Sequence, residues 1–160
     1  MGKLLFIIVI GLIVALPSAS TIAPVKYSAG NSVVKPVKLT WEMLFKVVLV
    51  EKYSARYKMK INVPDFDYTL KDLNNKEVVI EGFVIPTGVS SNTFVLSQNP
   101  YSACYFCGNG GVETVMTVKY SGIVPKFKTD DYIKLKGIFE LNNTDINELI
   151  YVLNKATQIK

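Results

Sequence analysis

The sequence has no histidine. That absence removes the usual general base, the Ser–His and Cys–His nucleophile pairs and the commonest zinc ligand. Most familiar hydrolase mechanisms are thereby excluded, and carboxylates, Tyr, Lys and Cys remain as chemistry-bearing groups. There is no phosphate-cradling glycine loop, no dinucleotide fingerprint and no internal repeat. Charge is also modest: 18 Lys and Arg against 13 Asp and Glu give +5. The cations are scattered as single residues rather than gathered in one run. That pattern reads as solvated strand faces, not as a nucleic-acid footprint, and leaves a mild preference for anionic surfaces or polymers.

Long hydrophobic runs are missing except at the start. After Met1-Gly2-Lys3 an apolar stretch runs from Leu4 to Leu16, broken only by Gly11, and Pro17 stops it. Small residues follow at Ser18, Ala19 and Ser20. A charged n-region, an apolar h-region and a small-x-small site predict a signal peptide over residues 1–20, cut after Ser20. The run is shorter than the roughly 20 residues a spanning helix needs. No cysteine follows it to take a lipid. The expectation is an exported, periplasmic or secreted protein with no transmembrane span in the mature chain.

Residues 21–39 have no clear period and read as a flexible lead. The domain is expected over residues 40–160. Thr40 suits the cap of a short helical turn through Phe45. Val47–Val50 reads as a buried strand, with a helix over Trp41–Tyr57 as the competing assignment. Tyr57, Met59, Ile61 and Val63 alternate with Lys58, Lys60 and Asn62, and Pro64 is expected to end that strand. Val78, Ile80 and Val84 alternate with Glu77, Glu81 and Phe83, with Gly82 as a bend and Pro86 and Gly88 as the end. Further alternation covers Thr93–Ser97, Val112–Tyr120 and Ile133–Leu141, and Leu149–Leu153 forms a last apolar strand. Turns fall at Asn74-Asn75 and Asn142-Asn143. About five to seven short strands with little helix predict an all-β, OB-like barrel. Mid-strand Gly82 and Gly137 suit the sharp bends of a small closed barrel.

One loop concentrates the unusual residues. Between Leu96 and Val112 runs Asn99-Pro100-Tyr101-Ser102-Ala103-Cys104-Tyr105-Phe106-Cys107-Gly108-Asn109-Gly110-Gly111. It holds both cysteines of the chain, in a C-x-x-C-G pattern. Three chemistries fit, with reduced bystander cysteines as the remaining reading. In an exported protein the pair forms a structural disulfide that pins the loop. As a metal knuckle it supplies two thiolates, with Glu113 the nearest carboxylate. Zinc would need further ligands, whereas soft Cu(I) is satisfied by two. As a redox dithiol it would need a helix N-terminus, yet glycines and a strand follow it. Tyr101, Tyr105 and Phe106 fold over the barrel end or offer a stacking surface for a ligand. Asp65, Asp67, Glu81, Asp145 and Glu148 supply carboxylates for glycoside chemistry, but no spacing singles out a pair.

The runs Lys76–Pro86 (KEVVIEGFVIP), Phe94–Ser97 (FVLS), Ala103–Gly108 (ACYFCG) and Glu113–Met116 (ETVM) resemble an uncharacterised family of exported bacterial proteins. Trp41, Lys52-Tyr53, Asn142–Asp145 (NNTD) and Tyr151–Leu153 add to the resemblance, which spans residues 40–155. Val112 stands where that pattern commonly has proline. The resemblance implies a small OB-like barrel in a periplasmic protein and groups Cys104, Cys107 and Glu113 in one constellation. It implies no activity. The expectation is a non-enzymatic binding protein of unknown ligand. A thiol-redox protein, or a module that binds a polymer or protein partner, stands beside it. Export makes nucleic acid the poorer candidate.

Overall fold

Strand alternation carries most of the chain into sheet. In the computed structural model the described residues are 35–90, 92–108 and 110–160, with the side chains of 87–90 set aside. The signal peptide expected over residues 1–20, and the expected lead as far as residue 34, lie outside them. The elements are β1 (Val37–Lys38), α1 (Trp41–Leu44), β2 (Val47–Ser54), β3 (Met59–Phe66), α2 (Tyr68–Leu73), β4 (Glu77–Ser90), β5 (Thr93–Ser97), β6 (Val115–Tyr120), β7 (Tyr132–Leu141) and β8 (Tyr151–Ile159). The sheet order is β1-β4-β5-β6-β8-β7, and β4 also pairs with β7. That last pairing closes β4, β5, β6, β8 and β7 into a five-stranded barrel. All its neighbours are antiparallel except β6 and β8, which run parallel. This is the small OB-like all-β barrel that the alternating segments predict.

Closure rests on β4. It pairs with β7 over Glu77–Phe83 and with β5 from Phe83 onward. The hand-over lies beside Gly82, where a Cβ would stand 2.6 Å from the Ser97 carbonyl oxygen and 3.1 Å from the Trp41 ring. Only glycine lets the strand turn this tightly against its neighbours. Gly137 has the same duty on β7, with the Asn154 carbonyl 2.8 Å from a would-be Cβ. Opposite it, the β7–β8 register shifts between Lys136 and Ile138. Lys155 takes a left-handed φ of 51° there, so the extra residue of the bulge belongs to β8.

The inward faces of the barrel strands supply Val78, Ile80, Leu96, Met116, Val118, Leu135, Phe139 and Leu153, all fully buried or nearly so. Leu44 of α1 and Leu70 and Leu73 of α2 join the same core. Tyr151 lies between Phe66 and Phe139, at 5.8 Å from each ring. Its hydroxyl donates to the Leu44 carbonyl at 2.6 Å, so the last strand is tied to the first helix. Trp41 ties α1 to β4 by donating from Nε1 to the Glu81 carbonyl at 2.9 Å.

Several expectations meet corrections. The short helix ends at Leu44, which rejects the longer helix, and β2 follows as a strand. Val48, Leu49 and Val50 are exposed, however, because among the described residues β2 pairs only with β3, in a two-stranded ribbon outside the barrel. Strand β3 runs through Pro64 to Phe66. Among the described residues β2 is the only partner of β3, so the other edge of β3 tolerates the missing N–H. Strand β4 likewise continues past Pro86. Residues 112–114 form a 3₁₀ turn ahead of β6, and β8 runs on to Ile159. Helix α2 has no apolar stripe long enough to announce it; the Asp67 carboxylate caps it by accepting from Thr69 N and Leu70 N. The sheet also begins before Thr40, since Val37 and Lys38 pair with Val78 and Val79 and Leu39 is buried.

Three outcomes follow from this packing. Gly82→Ala should lower unfolding free energy by about 1–3 kcal/mol in denaturant melts, since backbone must move to admit the methyl group. Tyr151→Phe should cost about 1–3 kcal/mol, because it orphans the buried Leu44 carbonyl. The Thr69 hydroxyl and two amides hold the Asp67 carboxyl below its ordinary value of 3.8. Its contribution is therefore present above that value and lost as pH falls through the lower folded value. Acid melts of Asp67→Ala should lack that part of the decline.

Candidate functional site

The β5–β6 ladder continues one step past the strands, where Gln98 N donates to the Thr114 carbonyl at 2.9 Å. That bond fixes the base of the cysteine loop. Above it the chain turns twice in 3₁₀ form, over Tyr101–Ala103 and Tyr105–Cys107. Cys104 is the shared residue, ending the first turn and starting the second. Gly108 closes the second turn in the left-handed region at φ 77°. Tyr101 N donates to Asp130 Oδ1 at 2.6 Å, which moors the loop to the segment before β7.

This winding brings Cys104 and Cys107 together as free thiols, the first fully buried and the second exposed. The Cys107 thiol donates to the Tyr101 carbonyl at 3.1 Å. Partial desolvation, with Cys104 beside it, pushes its pKa above the ordinary thiol value. A raised pKa opposes thiolate chemistry at neutral pH, the reverse of what an attacking redox cysteine needs.

Glu113 comes next along the chain. It sits on the 3₁₀ turn Val112–Thr114, and its carboxylate folds back over the Cα of Gly111. Its charge reaches Tyr151, whose hydroxyl is held neutral mainly by burial and secondarily by that carboxylate. Among the described residues no three His, Cys, Asp or Glu side chains gather as a metal shell. The donor set in reach is therefore two thiols. It suits a two-coordinate soft ion such as Cu(I) and falls short of the four ligands of structural zinc.

Two of the three loop aromatics, Tyr105 and Phe106, line different clefts. Tyr105 and Phe106 meet edge to face at 5.4 Å, and Phe106 is 52% exposed. Tyr105 lines a cleft of about 210 Å³ with Ile61–Pro64 of β3, Val112 and residues 142–146 and 148–150 of the β7–β8 loop. Phe106 lines a second cleft, about 340 Å³, floored by Thr93, Val95 and Thr117 on the outer face of β5 and β6. Its far wall is Ile146–Leu149. Tyr101 is exposed on the first turn and enters neither cleft.

The β7–β8 loop is an organised wall. Asn142 Oδ1 accepts from Thr144 N and Asp145 N, and its amide donates to the carbonyls of Asp145, Glu148 and Leu149. Leu149 packs on Ile85, Val95 and Val115, a small second core on the outside of the barrel. The Asn142-Asn143 turn marks this loop in the sequence. Its role as a cleft wall had no local signal, because it depends on strand order.

The carboxylates considered for glycoside chemistry are each engaged locally. Asp65 pairs with Lys71 at 3.3 Å, Glu81 with Lys134 at 3.8 Å and Glu148 with Lys119 at 2.9 Å. Asp67 caps α2, and Asp145 accepts from Asn147 N, which lowers its pKa.

No family model matches the chain, and no curated protein matches it. Among solved structures, a DUF3299 family protein from Pseudomonas aeruginosa PAO1 is similar, at 16% identity and a TM-score of 0.48. The match covers 78% of this chain and 97% of that one.

The thiol arrangement predicts ordered reactivity. Under reducing conditions Cys107 should alkylate first, more slowly at pH 7 than an unperturbed cysteine. Its rate should keep rising with pH beyond the ordinary thiol pKa. Cys104 should react only on unfolding, and Cys104→Ser should speed the alkylation of Cys107. Iodoacetamide kinetics followed by intact mass check each point.

Proposed function

We propose that this chain is an exported, non-enzymatic binding protein whose ligand sits beside the Cys104–Cys107 loop, between that loop and the β7–β8 loop. The observation that carries the reading is the second cleft. Exposed Phe106 faces Ile146 across a floor of Thr93, Val95 and Thr117, with apolar walls and a few polar side chains, the usual make-up of a ligand site. Export rests on the N-terminal pattern of Lys3, the Leu4–Leu16 run and Ser18–Ser20.

The cysteine pair serves this site by fixing Tyr105 and Phe106, which lie between the two sulfurs in sequence. In an oxidising compartment the pair closes as a disulfide that pins the second 3₁₀ turn. The raised Cys107 pKa supports a structural pair over a redox-active one. A second reading is favoured by the two-thiol donor set: a soft monovalent metal bridging Cys104 and Cys107.

Protein exported by its own signal and purified without reductant separates the two. An intact mass two protons light, no alkylation and no bound metal would establish the disulfide. Two alkylatable thiols with stoichiometric copper would establish the metal, and two free thiols without metal would reject both. Phe106→Ala should leave the melting temperature nearly unchanged while removing any ligand retained through purification, as read by native mass spectrometry. Retention in that variant would move the site elsewhere.

A further inference from the structure

The β2–β3 ribbon is the part of the molecule that the barrel does not explain. Exposed apolar side chains lie on both of its faces. Val48, Val50 and Met59 are on one, 65%, 37% and 55% exposed; Leu49 and Tyr53 are on the other, 44% and 68% exposed. Isolated two-stranded ribbons with such surfaces are marginal in water.

Charge accompanies this apolar surface. The ribbon, residues 47–66, contains Lys52, Arg56, Lys58 and Lys60 against Glu51 and Asp65, and Asp65 at its base is paired with Lys71. Lys60 is bound to Glu51 at 2.7 Å, and Arg56 lies over the Tyr57 ring at 5.4 Å. Lys52 and Lys58 are exposed and have no ion pair among the described residues. Arg56 and Lys58 thus sit in the hairpin turn, with Lys52 and Lys60 on the strands beside it.

We propose that this ribbon docks on the surface of a bilayer containing anionic phospholipid. Charge complementarity selects the occupant. A second copy would set like charges against each other at the ribbon tip. A protein groove would cover one face of the ribbon and leave the other apolar face in water. A headgroup layer accepts both faces at once, with Tyr53 and the aliphatic side chains at the acyl boundary and the lysines turned outward to phosphate. The ribbon stays at headgroup level, where water satisfies the free edges of β2 and β3.

The test is co-sedimentation of the exported, signal-processed protein with vesicles of phosphatidylglycerol mixed with phosphatidylcholine, and with phosphatidylcholine alone. Binding is expected only to the anionic vesicles, and it should fall steeply as salt rises to ~0.5 M. Lys52→Ala with Lys58→Ala should weaken it roughly 25-fold. Val48→Ser with Tyr53→Ser should weaken it about tenfold. Tyr53→Trp keeps the apolar contact and should show a blue-shifted emission on the anionic vesicles. Circular dichroism confirms that each variant is folded. Equal binding to both vesicle types, no binding, or binding indifferent to the lysine pair would overturn the proposal. So would a dimer in sedimentation equilibrium that Tyr53→Ser abolishes, which would assign the ribbon to a second copy. Loss of Phe106-dependent ligand retention would leave this result untouched, because Phe106 lies outside the ribbon.

Discussion

One strand with two partners sets the rest of this structure. Strand β4 begins against β7 and finishes against β5, and the change occurs within a residue of Gly82. The bend there draws Ser97 and Trp41 into contact with the bare Cα, so the same glycine positions the end of β5 and helix α1. Ser97 is the last residue before the cysteine loop. Placement of the loop is therefore inherited from a backbone contact deep in the barrel, not from the loop's own sequence.

The loops outside the barrel are held by different means. The cysteine loop depends on backbone hydrogen bonds, two 3₁₀ turns and one carboxylate, Asp130. The β7–β8 loop depends on Asn142 and on the burial of Leu149 against the outer sheet face. Each is ordered independently, and between them lies a cleft with a sheet floor. Such an arrangement fixes wall positions while leaving the rim residues, Phe106 and Ile146, free to be selected for contact.

Much of the barrel was legible because period-two alternation is a local property. Strands β5 and β7 and the two mid-strand glycines follow directly from it. The failures share a cause. Val47–Val50 is continuously apolar, which in isolation means a buried strand, yet its burial is decided by whether a second sheet covers it. Strand β8 was cut short at Leu153 because Asn154 and Lys155 break the pattern, and that break is the bulge itself. The cysteine pair was visible by spacing, but the return of the Glu113 carboxylate over Gly111 was not, since it follows from the 3₁₀ turn at residues 112–114. The local excess of cations over residues 46–60 could be counted in the sequence, but that they sit on an exposed ribbon could not, since this depends on strand pairing.

Strand order also governs timing. Strand β8 is the last of the eight to leave the ribosome, yet in space it stands between β6 and β7. Its Tyr151 meets Leu44 from a distance of 107 residues along the chain. Until residues 151–159 have been made, β6 and β7 have no common neighbour and the core has an open side. Residues 77–141 alone therefore make an open sheet, and closure waits on the strand that carries Tyr151.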